Sequence, residues 1–184
     1  MNNIDFDEYA IAMLHPVTTE YRDIKKQVEV FVDAVVASDK NYIVVFPNND
    51  LGTDEILKEY KRLHNNKRFK IYPSLRFEYF LRLLKESNFI IGNSSAGVRE
   101  APFYNVPTIN VGTRQNNRAQ AKSIINVSYN SEEISSTIQK IVSNMDKEKD
   151  INEFGNGNSN LLFFDLLKSE TIWKIDCQKQ FQDL

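Results

Sequence analysis

The sequence predicts an α/β fold with a doubly wound, mainly parallel sheet of the Rossmann-like kind. Its strand-length apolar runs lack an alternation of apolar and polar residues, which indicates strands that are buried on both faces. These runs alternate along the chain with segments of helical periodicity, an order typical of βαβ units. The chain has 184 residues, of which 41% are hydrophobic and 26% charged, as expected of a globular protein. We therefore expect one domain over residues 1–184.

Two strand–helix units are predicted in the first part of the chain. The first apolar run stops at His15-Pro16, and Thr18 or Thr19 can then cap a helix whose apolar residues recur every three or four positions. The next run is β-branched and aromatic, and Pro47 ends it before a second helical segment. The predicted elements are strand Tyr9–Leu14, a helix up to Val36, strand Tyr42–Phe46 and a helix over 54–64.

The same alternation continues towards the C-terminus. One strand run leads through Pro73-Ser74 into a helix, and the next runs straight into a loop rich in glycine and serine. A polar stretch over 147–160 predicts a loop, and residues 170–184 form an amphipathic tail helix in this interpretation. The predicted elements are strand Phe69–Tyr72, helix Phe77–Ser87, strand Phe89–Ile91, a short helix, strand Thr108–Val111, a helix from Ser131 and a helix over Leu161–Lys168.

Composition and charge exclude several classes of function. The formal net charge is -2 and no basic stripe is present, so we expect no nucleic-acid partner. No apolar run approaches the ~20 residues that span a bilayer, and the N-terminus is polar and acidic, unlike a signal peptide. The single cysteine, Cys177, fits a reducing compartment, so a cytoplasmic protein is expected. Metal-ligand spacings and a GxGxxG motif are absent from the sequence, which predicts no metal and no nicotinamide or flavin cofactor.

Three loops are expected at the edge of the sheet where ligands bind. In doubly wound sheets this edge lies beyond the carboxyl ends of the strands. The loops are His15-Pro16, the polar residues 48–50 and the segment 93–97, and each follows an apolar strand directly. Each also carries polar groups where a purely structural turn could be made with glycine. We expect the chemistry of the protein at these loops.

The loop 93–97 predicts an anion-binding cradle at the start of a helix. Unpaired backbone N–H groups and the helix dipole favour an anion there, and Ser94 and Ser95 add hydroxyl donors. Gly92 and Gly97 allow the backbone to approach the anion closely. The alternative is that the serines only cap the helix.

Four more side chains are candidates near this cradle. Glu100 follows on the same short helix, and it could accept hydrogen bonds from the two hydroxyls of a ribose; the alternative is a solvated or Arg-paired glutamate. Arg114 follows the strand Thr108–Val111 and could contact a phosphate, with Arg118 as a second candidate, unless both are surface arginines. His15 could donate to a phosphate or transfer a proton near neutral pH, although a lone histidine is more often structural.

Several segments together resemble the C-terminal domain of the hydrolysing UDP-N-acetylglucosamine 2-epimerases. These segments are LHPVTTEY, VVFPNND, IIGNSSAGVREAP, VPTINVGTRQNNR and FGNGN, and the likeness extends from about Tyr9 to the tail. The combination of GNSSxGxxE with GTRQ at this spacing is specific within the fold. Because the family has two facing Rossmann-like domains, the resemblance implies one half of a glycosyltransferase-B-like fold.

The resemblance also implies roles for individual residues and a reaction. Members convert UDP-N-acetylglucosamine and water into N-acetylmannosamine and UDP, by elimination of UDP and then hydration, in a route to sialic acid. The implied ligand is therefore a UDP-sugar, and a homo-oligomer is expected of the full-length enzyme. The carried-over roles are His15 on the phosphate, Asn48 near the uridine nucleotide, Ser94 and Ser95 on the diphosphate, Glu100 on the ribose and Arg114 at the nucleotide site.

One departure from the family pattern concerns catalysis. In the family, the first of the two domains carries the acidic catalytic residues, and that domain has no counterpart in this sequence. We therefore expect an excised domain, a truncated product or one piece of a split enzyme. Little turnover is then expected of the chain alone, and the tail 170–184 would pack on the absent half or pair with another copy. Three alternatives stay open: an epimerase for another UDP-sugar such as a 2,4-diacetamido-trideoxyhexose, a non-catalytic nucleotide-binding module, and a glycosyltransferase donor domain.

Overall fold

The computed structural model describes residues 4–144 and 154–175. These residues belong to two compact units, Met1–Glu153 and Phe154–Leu184. The first unit contains the whole sheet and all the loops singled out above.

The first unit is built on one sheet of six strands, in the order β3-β2-β1-β4-β5-β6. Every neighbouring pair is parallel. This confirms the predicted doubly wound α/β fold, whose strand order reverses between β1 and β4. The strands are β1 Ala10–Met13, β2 Tyr42–Val45, β3 Phe69–Tyr72, β4 Ile90–Gly92, β5 Thr108–Val111 and β6 Ile124–Val127.

Helices cover both faces of this sheet, and the strands are apolar on both faces for that reason. In β1, Ala10 and Ala12 pack into one core together with two helices, α1 (Ile24–Ala37) and α5 (Ser131–Ser143). Ile11 packs into the other core with α3 (Phe77–Glu86) and α4 (Ser95–Phe103). Each face of the strand therefore needs apolar side chains, which removes the alternation. The helices of this unit are α1 Ile24–Ala37, α2 Thr53–Tyr60, α3 Phe77–Glu86, α4 Ser95–Phe103 and α5 Ser131–Ser143.

The structure differs from the predicted elements in a few places. The strand β6 was not predicted: it lies at the sheet edge, and only Val127 of its four residues is buried, so its apolar signal is weak. The first helical segment begins with a 3-10 turn at Thr18–Asp23, and the second ends in another at Lys61–Leu63. The remaining strand ends agree with the prediction to within one residue.

The switch in strand order positions the candidate site. The chain leaves β1 towards β2 on one side and reaches β4 on the other, so a crevice opens between the carboxyl ends of β1 and β4. His15 follows β1, and the segment Asn93–Gly97 follows β4. Two of the three predicted loops therefore lie next to each other at this crevice.

The second unit contains α6, Ser159–Lys168, and a 3-10 turn at Ile172–Lys174. The helix starts two residues before the predicted one. Trp173 is exposed and its indole Nε1 donates to the Leu167 carbonyl at 3.0 Å. The predicted tail helix over 170–184 is a 3-10 turn as far as Ile175, and its remaining residues, with Phe181, lie outside the described residues. In 4–144 and 154–175, no helix is long and apolar enough to cross a membrane.

Candidate functional site

Asn93 directly follows β4 and is fully buried. Its side-chain Oδ1 accepts from the His15 backbone N–H at 2.6 Å, and its Nδ2 donates to the His15 carbonyl at 2.8 Å. Its own backbone N–H donates to the Met13 carbonyl at 3.1 Å. One side chain therefore ties the loop after β1 to the loop after β4.

The backbone carbonyl of Asn93 also receives the loop that follows β5. Arg114 donates to it from Nη1 at 3.1 Å, and Gln115 donates to it from Nε2 at 2.9 Å. Gln115 is buried and Arg114 is half-buried, so the guanidinium remains partly open to solvent. The positive charge of Arg114 is thus held beside the start of α4.

The start of α4 has the features of an anion cradle. Ser94 is the N-cap, and its Oγ accepts from the Ala96 N–H at 3.3 Å. The backbone N–H groups of Ser94 and Ser95 donate to no acceptor in the described part of the chain, and neither does the Ser95 hydroxyl. Ser94 thus has the capping role that was the alternative, while two amides and one hydroxyl stay available to an anion.

His15 is held as a neutral hydrogen-bond donor. Its Nδ1 accepts from the Asn48 backbone N–H at 3.0 Å, so the proton of the neutral ring is on Nε2. Burial, with the nearby charge of Arg114, lowers the pKa of His15 from 6.5 to about 4, against a smaller opposite effect of Asp50. In the unliganded chain this arrangement favours donation to a phosphate over proton transfer near neutral pH.

The lowered pKa of His15 predicts an acid-sensitive fold. Because the folded pKa lies below the unfolded value of 6.5, the unfolded chain binds the proton first as the pH falls. The stabilising contribution is present above about pH 6.5 and is lost towards pH 4. We expect the free energy of unfolding of wild type to fall by about 2 kcal/mol more than that of His15→Gln between pH 7.5 and pH 5.

Urea unfolding at the two pH values measures this difference, with His64→Gln as the matched control because His64 is exposed. The control should keep the wild-type pH dependence. Equal pH dependence in wild type and His15→Gln would contradict the lowered pKa.

In the described structure, Glu100 and Asn48 lie outside the group of residues that are hydrogen-bonded to Asn93. Glu100 is half-buried, and its Oε2 is shielded from solvent without a hydrogen-bond partner within residues 4–144 and 154–175. A carboxylate oxygen in that state is suited to accept from a ligand hydroxyl. Asn48 is exposed and acts here through its backbone, which donates to His15 and accepts from the Thr53 hydroxyl. Its predicted side-chain role near the nucleotide stays a prediction.

Two supporting residues were missed by the reasoning from sequence. Asn93 belongs to the predicted glycine- and serine-rich loop, and the signal that points to it is an amide side chain directly after a buried strand. Glu20 accepts from the Thr113 hydroxyl and, at 2.7 Å, from Gln27 Nε2. It thereby ties the 3-10 turn after β1 to the loop that carries Arg114. The partners of these two residues could not be predicted, because the Asn93–His15 and Glu20–Thr113 contacts join distant segments.

The donors around the switch point suit an anion. Among the residues that the structure describes, no group of three or more His, Cys, Asp or Glu side chains could share a metal ion. The donors of the site are N–H groups, hydroxyls and one guanidinium, which match the oxygens of an anion.

Together, the strand order and the unpaired donors at the switch point define a doubly wound, Rossmann-like α/β type of domain. The family model described as UDP-N-acetylglucosamine 2-epimerase matches residues 1–168. The chain belongs to the UDP-N-acetylglucosamine 2-epimerase family, which confirms the resemblance found in the motifs.

Two relatives show how much of the family this chain represents. A UDP-N-acetylglucosamine 2-epimerase of Neisseria meningitidis serogroup B is 42% identical over 184 residues, which cover 98% of this chain and 48% of that protein. A UDP-N,N'-diacetylbacillosamine 2-epimerase (hydrolyzing) of Legionella pneumophila is 30% identical over 159 residues, which cover 86% of this chain and 42% of that protein. The chain therefore spans about half the length of the curated relatives that it matches.

The chain is also similar in fold to a solved structure of this family. The Methanocaldococcus jannaschii UDP-GlcNAc 2-epimerase in complex with UDP-GlcNAc and UDP has a TM-score of 0.71 and 26% sequence identity to this chain. The match covers 88% of this chain and 45% of that one. The chain thus matches about half of that solved chain. This agrees with the expectation that it corresponds to one half of a two-domain enzyme of the glycosyltransferase-B-like fold.

Proposed function

We propose that this chain is the UDP-binding part of a hydrolysing UDP-N-acetylglucosamine 2-epimerase. The observation that carries the proposal is the convergence of donors on one point of the crevice. The backbone of His15 and the partly open guanidinium of Arg114 are both hydrogen-bonded to Asn93, and the free amides at the start of α4 follow Asn93 directly in the chain. Such donors suit the several oxygens of a pyrophosphate, and the Glu100 Oε2, which has no partner in the described residues, suits a hydroxyl of the ribose.

In the proposed reaction, these residues support the departing UDP. Negative charge develops on the β-phosphate oxygen as the bond from the sugar C1 breaks and the C2 proton is lost. Donors that are already oriented towards that oxygen stabilise this charge without rearranging. The charge of Arg114 and the Nε2–H of His15 act in this way, while the amides of α4 hold the phosphate in place. The base that removes the C2 proton is expected in the other domain of the two-domain enzyme.

Ligand binding tests the proposal directly. By isothermal titration calorimetry, UDP should bind the chain at least about tenfold more tightly than uridine, because the cradle contacts the phosphates. Arg114→Met should weaken UDP binding by about 10–100-fold and leave uridine binding unchanged, since a hydrogen bond between charged groups contributes about 1.5–3 kcal/mol. The matched control is Arg82→Met, because Arg82 is an exposed arginine on α3 that pairs with Glu86. Equal affinities for UDP and uridine would refute the proposed site.

A second candidate function is epimerisation of a different UDP-sugar, and the similarity to the Legionella pneumophila relative favours it. The cradle residues act on the nucleotide, so they fit both sugars. To distinguish the substrates, this chain is mixed with the N-terminal half of either relative, and each mixture is given the UDP-sugar named for that relative. We expect N-acetylmannosamine from UDP-N-acetylglucosamine in the mixture with the Neisseria meningitidis half and little from either part alone. Greater release of sugar in the mixture with the Legionella pneumophila half would favour the second candidate.

A further inference from the structure

We propose that Asn93 is a positioning residue that sets His15 and Arg114 in their ligand-binding arrangement before a ligand arrives. The proposal deepens the proposed function, because the ligand it concerns is the diphosphate of UDP. Asn93 itself would not need to contact the ligand. It would act through the two residues that its side chain and carbonyl hold.

The first argument is the number and direction of its hydrogen bonds. The Asn93 amide accepts from the N–H and donates to the C=O of the same residue, His15, so the backbone of His15 is held on both sides. The Asn93 carbonyl receives Arg114 and Gln115. All of these bonds are in a fully buried residue, where they cannot be replaced by water.

The second argument is the connection to the His15 ring. With its backbone held by Asn93, His15 places Nδ1 within 3.0 Å of the Asn48 N–H. This contact occupies the Nδ1 lone pair and leaves the proton on Nε2, the nitrogen that donates to no described residue. Asn93 thereby selects the tautomer that can donate to a phosphate.

The chemistry of the amide explains why asparagine is required here. A single side chain must provide one acceptor and one donor at nearly the same distance, 2.6 and 2.8 Å. Aspartate would keep the acceptor and place a second anionic oxygen against the His15 carbonyl. Alanine would remove both bonds and leave two backbone groups of His15 without partners.

The test compares Asn93→Ala with Asn110→Ala in the ligand-free chain. Asn110 is also a buried asparagine and pairs in register with Gly92 on the neighbouring strand, but its side chain bonds to Asn126 instead of His15. Two-dimensional long-range ¹H–¹⁵N spectra report the tautomer of each histidine. The chain has two, so the exposed His64 serves as an internal reference.

Wild type and Asn110→Ala should show His15 as the Nε2–H tautomer alone. Asn93→Ala should show both tautomers and a titration midpoint of His15 more than one pH unit higher, and it should bind UDP at least about tenfold more weakly. An unchanged His15 tautomer and midpoint in Asn93→Ala would overturn the proposal. So would a proton on Nδ1 of His15 in wild type, a result that needs no variant.

This experiment distinguishes a failure of the proposed function from a failure of the proposed role of Asn93. If wild type does not bind UDP, the proposed function is wrong, while the spectra of the ligand-free chain still decide the role of Asn93. If Asn93→Ala does not fold, Asn93→Asp serves instead, because it keeps the acceptor for the His15 N–H. The same change of tautomer is expected of it, and its absence overturns the role of Asn93. The midpoint is compared only for Asn93→Ala, because the negative charge of aspartate by itself raises the pKa of a nearby histidine.

Discussion

Replacing Gly92 with alanine is expected to leave little folded protein. Gly92 has a φ of +133°, and a Cβ built there would lie 2.0 Å from the Met13 carbonyl oxygen and 2.6 Å from its carbon. Both atoms are backbone atoms of the central strand β1, which pairs with β4 at this point. The overlap and the strained φ should together lower the free energy of unfolding by more than about 4 kcal/mol, a large part of the total.

The matched control for this prediction is Gly155→Ala. Gly155 also has a positive φ, +91°, but a Cβ there would meet nothing within 4 Å. The free energy of unfolding of Gly155→Ala should therefore fall only by the cost of the backbone strain, which is about 1 kcal/mol or somewhat more. Urea unfolding followed by circular dichroism measures both variants. A Gly92→Ala protein that unfolds at the same urea concentration as Gly155→Ala would show that the approach of Gly92 to Met13 is not as close as described.

The change Glu100→Gln is expected to weaken UDP binding and to stabilise the empty chain. The Oε2 atom of Glu100 is buried without a partner in the described residues, and an unpaired carboxylate oxygen of this kind is costly in the absence of ligand. The neutral amide should raise the free energy of unfolding by about 1 kcal/mol. It should lower the affinity for UDP by about 10–100-fold, because the ribose hydroxyls lose a charged acceptor.

Glu132→Gln is the control for Glu100→Gln, since Glu132 is an exposed glutamate in the first turn of α5. It should change the UDP affinity by less than about twofold and the stability by less than about 0.5 kcal/mol. Calorimetry with UDP and with 2′-deoxy-UDP separates the ribose contact from other effects. If Glu100→Gln weakens both ligands equally, or destabilises the chain, Glu100 does not hold the 2′-hydroxyl.

The fold could be predicted from sequence because its signals are local. The central strands are short apolar runs closed by proline or glycine, and the ends of β3 and β5 were predicted to the residue. The strand β6 was not predicted, because a half-buried strand at a sheet edge has only a weak apolar pattern. The predicted cap at Thr18 or Thr19 is wrong, because both residues lie inside the 3-10 turn, whose N-cap is Val17 without a side-chain hydrogen bond.

The site could be predicted in part. His15, Ser94, Ser95 and Arg114 follow strands directly, and the rule for parallel sheets places such residues at one edge. The sequence could not show which of them support others, because this depends on contacts between segments far apart in the chain. The Asn93–His15 contacts join positions 78 residues apart, and the Arg114–Asn93 contact joins positions 21 apart.

The most direct test of the account is a titration of the ¹⁵N-labelled chain with UDP, followed by the backbone amide signals. We predict saturable shifts at Ser94 and Ser95, whose N–H groups are free for the diphosphate. Asn41 and Asn88, which precede β2 and β4 at the opposite edge of the sheet, should not shift. If UDP leaves the two serine amides unchanged, or shifts only residues at the opposite edge, the crevice between β1 and β4 is not the nucleotide site.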